Sequence, residues 1–244
     1  MKILITGGAG FIGSHTAELL LKNKKIKKII LIDNLKDGSK KNLKSIINNH
    51  KIKLIKADIT QKKSIERHFK NISCVVHLAA LSDIVPSIEQ PIDYLNNNII
   101  GTVNVLECMR NNNVKKIIYS ASSSCYGLAK KLPTKESDLI DCRYPYAFSK
   151  YIGELTIKHW AQVYGLNYFS LRLFNVYGTR SRTHGAYGAA LGVFLKQKIE
   201  DKPLTIVGNG KQKRDFVNVK DVAEAIKLSI FSKKKKFNFK YRVW

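Results

Sequence analysis

Apolar residues along this chain come in short clusters separated by longer stretches with a helical repeat. The clusters fall at residues 2–6, 28–32, 52–56, 74–77, 116–120 and 168–173. Each is a compact, largely apolar run, the pattern of a strand buried on both faces. The intervening stretches repeat differently. Over residues 103–109, Val103, Leu106 and Met109 share one helical face, with Val105 beside them. Strand and helix alternate from the first residues onward, which predicts an α/β fold with a doubly wound parallel sheet. The alternation weakens after about residue 175, where the turn Gly208-Asn209-Gly210 appears. The expected organisation is a domain over residues 1–174 and a smaller, partial lobe over 175–244.

Composition narrows the setting. Hydrophobic residues make up 44% of 244, an ordinary globular value. No run approaches the roughly 20 apolar residues needed to span a bilayer. The N-terminus runs directly into a strand without the features of a signal peptide. These points predict a cytoplasmic protein that neither enters nor crosses a membrane. Cys74, Cys108, Cys125 and Cys142 show no paired spacing, so free thiols and no metal site are expected. The net charge of +25 is carried mostly by lysine. Lys, Asn and Ile share A- and T-only codons, so an AT-rich gene accounts for the excess without a nucleic-acid partner. A basic field would still attract an anionic ligand.

The first chemical signal is at residues 7–13. Gly7, Gly10 and Gly13 follow the first strand and open a helix. Such glycines allow a tight turn and close approach of backbone to a pyrophosphate, which the helix N-terminus then attracts. Asp33 ends the second strand, where a carboxylate accepts from ribose hydroxyls and repels a 2′-phosphate. Together they predict a Rossmann sheet binding NAD in preference to NADP. Asp58, after the third strand, is placed to accept from the adenine amino group. Leu78, Ala79 and Ala80, after the fourth, are small enough at the alanines to let backbone approach the cofactor.

The second signal is Tyr146 and Lys150, which lie one above the other on a helix. A free phenol has a pKa of about 10 and is a poor base at neutral pH. A nearby ammonium and a positive nicotinamide ring favour the phenolate. Tyr146 is then able to take a proton from a hydroxyl as hydride leaves for NAD, while Lys150 holds the nicotinamide ribose. The Ser-rich segment at residues 120–127 follows the fifth strand and offers hydroxyls to the reacting oxygen. Cys125 lies within it, unpaired with any His base, and reads as packing.

TGGAGFIGSH, HLAA, SSxYG, YxxSK, LRLFNVYG and GNGxxxRDFVxVxD occur in that order over nearly the whole chain. The set resembles the extended short-chain dehydrogenase/reductases of the NAD-dependent epimerase/dehydratase family, and among them the UDP-glucose 4-epimerase-like branch. The resemblance implies that Gly7, Gly10, Phe11, Ile12 and Gly13 form the pyrophosphate loop. It places Asp33, Asn34, Asp58 and Ile59 on the adenosine side. Leu78, Ala79, Ala80, Asn98, Ser120, Tyr146, Lys150 and Phe174 line the rest of the cofactor. Ser122, Tyr146 and Lys150 match the catalytic set, and Ser122, Asn175 and Arg214 match substrate-binding positions. A UDP-sugar substrate and a homodimer paired through two long helices are likewise implied.

The same resemblance separates reactions. The 4,6-dehydratases carry an Asp-Glu pair directly after the catalytic Thr, and UDP-glucuronate decarboxylases a Glu two residues before the Tyr of the SSxYG turn. Ser123 and Ser124 stand there in this chain, so 4-epimerisation is expected. Another epimerase, a reductase or synthase, or a catalytically silent NAD-binding protein are the alternatives. From about Lys233 onward no family pattern is recognised, and a reading-frame shift in the A-rich codons of residues 233–236 is expected. The resemblance then implies a complete cofactor lobe and an incomplete sugar pocket.

Overall fold

The computed structural model describes residues 1–128, 132–181, 190–206, 208–234 and 236–240. In chain order the elements are β1 (Lys2–Thr6), α1 (Phe11–Leu21), β2 (Lys28–Asp33), β3 (Ile52–Lys56), α2 (Lys62–Ile65) and β4 (Cys74–His77). Then come α3 (Ile84–Glu89), α4 (Pro91–Leu95), a π turn at Asn96–Ile100, α5 (Gly101–Asn111), β5 (Lys116–Ser122), α6 (Pro145–Tyr164) and β6 (Asn167–Leu173). The described remainder holds β7 (Val176–Tyr177), α7 (Ala190–Ile199), β8 (Val217–Asn218), α8 (Val219–Phe231) and β9 (Lys236–Lys240).

Seven strands form one sheet in the order β3-β2-β1-β4-β5-β6-β9, and every pairing is parallel. Side chains alternate across it. Ile3 and Ile5 of β1 face one layer with Ala17 and Leu20 of α1 and Val222, Ile226 and Ile230 of α8. Leu4 faces the other, with Val105, Leu106 and Met109 of α5 and Ile157 and Ala161 of α6. Both faces are covered, which is why the strands read as unbroken apolar runs. The chain direction through the sheet reverses between β1 and β4, so a crevice opens at the strands' C-terminal edge, where open α/β sheets bind ligands.

Helix α6 carries the Tyr146–Lys150 pair. Pro145 opens it at a position where the missing N–H costs nothing, and Gly165 at φ +69° ends it. Its buried face includes Ala147, Lys150, Glu154, Ile157 and Ala161, a 3–4 repeat. Gly153 lies on that face, where a Cβ would collide with the Tyr119 hydroxyl.

The expected boundary at 174/175 does not separate two lobes. Helix α8 packs into the same core as α1, and β9 extends the sheet beside β6, with Phe169 opposite Phe237 and Leu171 opposite Phe239. The apolar face of α8 carries the chain back over the sheet, and β9 then enters parallel through the crossover such a helix provides. What leaves the sheet is the excursion between β6 and α8, where β7 and β8 form a separate two-stranded pair. The last four residues of the expected aberrant tail lie outside the described residues.

Candidate active site

The glycine loop is built tightly. Gly7 sits at φ +68°, and its N–H donates to the Ile32 carbonyl at 2.8 Å. A Cβ there would lie 2.8 Å from the Ala79 nitrogen. A Cβ on Gly13 would collide with the Gly7 carbonyl oxygen. Gly10 caps α1 without a side chain, and the helix's first turn, which includes Phe11, Ile12 and Gly13, contains no acidic residue. The free N–H groups and the positive dipole end are thus left for an anion, and the cradle fits a pyrophosphate.

Asp33 closes this loop from below. It is buried, and its two oxygens accept from the Ala9 N–H at 2.9 Å and the Leu35 N–H at 2.8 Å. Burial pushes its pKa above the ordinary carboxylate value, with Asp37 adding to the shift and the backbone N–H groups opposing it. Asp33 therefore staples the loop, where the Gly10 N–H also acts on it, as well as ending β2.

Next to it, Asn34 donates to Asp58 at 2.9 Å, and Thr60 donates to Asp58 through both its N–H and its hydroxyl at 2.8 Å. Burial raises the Asp58 pKa, but the Asn34 and Thr60 bonds outweigh it and hold the group below its ordinary value. Asn34 and Asp58 line a cleft of about 430 Å³ together with Lys36, Thr60, Leu81 and Asn97. Ile59 is buried in the core, where a Cβ on Gly101 would lie 2.6 Å from it.

Leu78 and Ala79 donate their N–H groups to the Thr6 hydroxyl, each at 3.2 Å, which fixes the turn after β4 against the glycine loop. Ala80 follows in the same turn. Asn98, buried in the π turn, is clamped more fully than its sequence suggests. It accepts from the Leu81 N–H at 2.8 Å and donates to the Leu81 carbonyl at 3.0 Å and the Ser149 hydroxyl at 2.9 Å.

At the end of β5, beyond Ser120, Ser122 is extended and caps a turn over Ser123–Tyr126. Its hydroxyl lies 2.7 Å from that of Ser124, and Ser122 also acts on the Tyr146 phenol. The half-buried Tyr146 ring stands edge-on to Tyr94, with centroids 6.5 Å apart. Burial pushes the Tyr146 pKa up, the Ser122 bond opposes it, and Asp83 pushes it further up. Lys150 is buried with its Nζ 4.5 Å from the centre of the Tyr119 ring, and burial lowers its pKa to about 7. The protein's own groups thus keep Tyr146 a neutral phenol.

Phe174 follows β6, and Asn175 donates to the Asp215 carbonyl at 2.9 Å. The β7–β8 pairing therefore brings Asn175 beside Arg214, whose guanidinium is exposed and bonds only its neighbour's carbonyl, at 2.9 Å, among the described residues. These positions and those of the cofactor loop all lie at or beyond the C-terminal edge of the sheet.

A family model for the NAD dependent epimerase/dehydratase family matches residues 3–239. The chain belongs to this family. That match runs past Lys233, so the loss of family pattern expected from there is not found up to residue 239. A Methanocaldococcus jannaschii protein, provisionally named a UDP-glucose 4-epimerase, is 40% identical over 225 residues, 91% of this chain and 71% of the relative. The UDP-N-acetylglucosamine 4-epimerase of Methanobrevibacter ruminantium, solved with UDP-N-acetylmuramic acid, superposes with a TM-score of 0.93 at 36% identity, covering 99% of this chain and 76% of that one. The UDP-glucose 4-epimerase of Thermus thermophilus, solved with NAD, gives 0.87 at 32% identity over 98% of this chain and 77% of that one.

As a member of an NAD dependent epimerase/dehydratase family the chain has NAD as its cofactor. No helix among the described residues is long and apolar enough to cross a membrane. Sequence reasoning did not single out Thr6, Thr102 and Ser149, or the cleft residues Lys36, Thr60, Leu81 and Asn97. The run Asn96-Asn97-Asn98 was a usable signal, since consecutive amides are poor helix formers and here occupy a π turn, a feature frequent at functional sites.

Proposed function

We propose that this chain epimerises a UDP-hexose at carbon 4. The observation that carries the reading is the turn after β5, where the Ser122 hydroxyl lies 2.7 Å from that of Ser124 and acts on the Tyr146 phenol, with Ser123 and Ser124 in place of carboxylates. NAD when bound supplies a hydride acceptor and a positive ring. Tyr146 takes the proton of the sugar 4-hydroxyl, and Ser122 holds that oxygen. With the keto-sugar turned over in the pocket, Tyr146 would return the proton to that oxygen. Lys150, buried one helical turn after Tyr146 on α6, would hold the nicotinamide ribose. Asn175 and Arg214 would take the nucleotide diphosphate, where a planar guanidinium suits phosphate oxygens.

Epimerisation needs no carboxylic acid beside Ser122, and neither Ser123 nor Ser124 supplies one. Asp83 acts on Tyr146 from the loop before α3, not from that turn. The match to 4-epimerases acting on different UDP-sugars supports carbon 4 and leaves the hexose open. A homodimer belongs to the same reading, because Phe148 and Leu155 on α6 are 46% and 39% exposed.

The test begins with denaturing the purified chain and assaying released NAD. UDP-glucose, UDP-galactose and their N-acetyl forms, deuterated at carbon 4, are then offered. Interconversion with the label retained is expected. A keto-sugar product, or label lost to solvent, would overturn the reading.

A further inference from the structure

Among the almost wholly buried polar side chains outside the catalytic set are Thr6, His77, Asn98, Thr102 and Ser149, with exposures between 0% and 2%. Together they are hydrogen-bonded from the turn after β4 to the backbone of Tyr146. Thr6 Oγ1 lies 2.7 Å from His77 Nδ1. His77 Nε2 lies 2.9 Å from Thr102 Oγ1. Thr102 donates to the Asn98 carbonyl at 2.6 Å. The Asn98 side chain donates to Ser149 at 2.9 Å, and Ser149 donates to the Tyr146 carbonyl at 2.8 Å.

The protons in this chain have one consistent arrangement. A carbonyl only accepts, so the Thr102 hydroxyl proton is committed to Asn98. Thr102 must then accept from His77, which puts the imidazole proton on Nε2. Nδ1 is left as the acceptor, and Thr6 donates to it. The Thr6 oxygen is free to accept from the Leu78 and Ala79 N–H groups, as it does. An imidazolium would add an N–H facing Thr6 and leave the Thr6 proton without its acceptor. Burial and the Lys150 ammonium, the charged group acting on the ring from α6, oppose it as well, and the His77 pKa falls to about 3. From β5 the ring faces the Tyr119 ring, 5.6 Å between centroids, and that phenol is held neutral by burial. The arrangement cannot pass a proton along, because the Asn98 amide interrupts it.

We propose that His77, locked in its Nε2–H form, is a positioning residue that sets the cofactor-facing turn at Leu78 and Ala79 against the backbone of Tyr146. The inference rests on the reading of residues 7–13 as the cofactor loop and Tyr146 as the base. It explains why a π turn is kept at Asn98: one backbone carbonyl and one side chain must point along two different limbs of the network. It also makes Thr102, remote from cofactor and substrate, a sensitive point.

Nitrogen-15 NMR of imidazole-labelled, ligand-free protein tests the lock directly. His77 is expected to show a protonated Nε2 and a bare Nδ1, unchanged between about pH 5 and pH 8. Titration in that window, or the opposite tautomer, would overturn the proposal whether or not the chain binds NAD. Thr102→Val is expected to weaken NAD binding about tenfold, the effect of stranding one buried donor, and Thr102→Ser to restore it. On any UDP-sugar the chain turns over, Thr102→Val is expected to lower kcat while leaving KM unchanged. Thr102→Val with wild-type NAD affinity, or a Thr102→Ser variant as impaired as Thr102→Val, would show that His77 does not position the turn.

Discussion

Burial of Lys150 makes its charge costly to the ligand-free protein. Its folded pKa of about 7 lies below the value of about 10.4 for an unfolded lysine. Between those values the unfolded chain holds a proton the folded chain has released, so stability rises with pH across that window. Below about pH 7 both states are protonated and the folded state bears the full penalty. Lys150→Met is therefore expected to raise the thermal midpoint of the ligand-free protein, by most below about pH 7 and by least above the ordinary lysine range. The size is on the order of a few kcal/mol at low pH. A midpoint difference that does not change with pH would contradict it.

Tyr146 gives a second prediction at this scale. The protein alone pushes its pKa upward, so the phenolate that the chemistry needs depends on a positive charge arriving with NAD. Ultraviolet difference titration of wild type against Tyr146→Phe is expected to place the ligand-free phenol above the ordinary tyrosine value of about 10. Adding NAD is expected to lower it. Tyr146→Phe itself is expected to lose roughly 10²-fold or more in turnover while retaining NAD, measured by equilibrium binding.

Among elements, α6 is held in place by a buried fork. Arg172 of β6 donates to Glu154 of α6 at 2.6 and 3.0 Å, and to the Tyr126 hydroxyl at 2.7 Å. It also reaches the Glu136 carbonyl at 3.2 Å, and Ser170 donates to Glu154 at 2.9 Å. Helix α6, strand β6 and the turn after Ser122 thus share one guanidinium. Removing one partner leaves a buried charge uncompensated, so Glu154→Gln is expected to cost about 3 kcal/mol or more in urea denaturation. Tyr126→Phe removes a single acceptor and is expected to cost about 1 kcal/mol. Equal losses from the two would mean that the fork is not the main tie.

For the whole molecule, the exposed apolar residues of α6 carry the expectation of a dimer. Helices α3 and α4 pack beside α6, and Ile88 and Ile92 on them are 53% and 64% exposed. Apolar surface of this extent on one helical layer is the kind that pairs with a second copy. Light scattering is expected to give a dimer mass for the wild type and a monomer mass for Phe148→Glu combined with Leu155→Glu. A wild-type monomer would remove the dimer from the reading.

How much of this was legible depended on range. The strands at Lys2–Thr6, Ile52–Lys56 and Cys74–His77 have the bounds read from the sequence, because strands buried on both faces carry their whole signal in consecutive apolar residues. The glycine loop and the Tyr146–Lys150 pair were equally local: fixed spacings on a turn and on a helix. Asp33 was found, but its hydrogen bond to the loop was not, since Ala9 lies 24 residues away. The 174/175 boundary failed for the same reason. Nothing local says that α8 returns to α1 or that β9 pairs with β6.

The sequence by itself determined the α/β class and the order of the first six strands, since each rests on neighbours within a turn or a strand. Tertiary structure alone decided that Ser122 acts on Tyr146, that Lys150 lies over the Tyr119 ring, and that His77 sits between the hydroxyls of Thr6 and Thr102. Those facts depend on which distant groups share a buried space. Burial sets both the cost of a charge and the partners open to a proton.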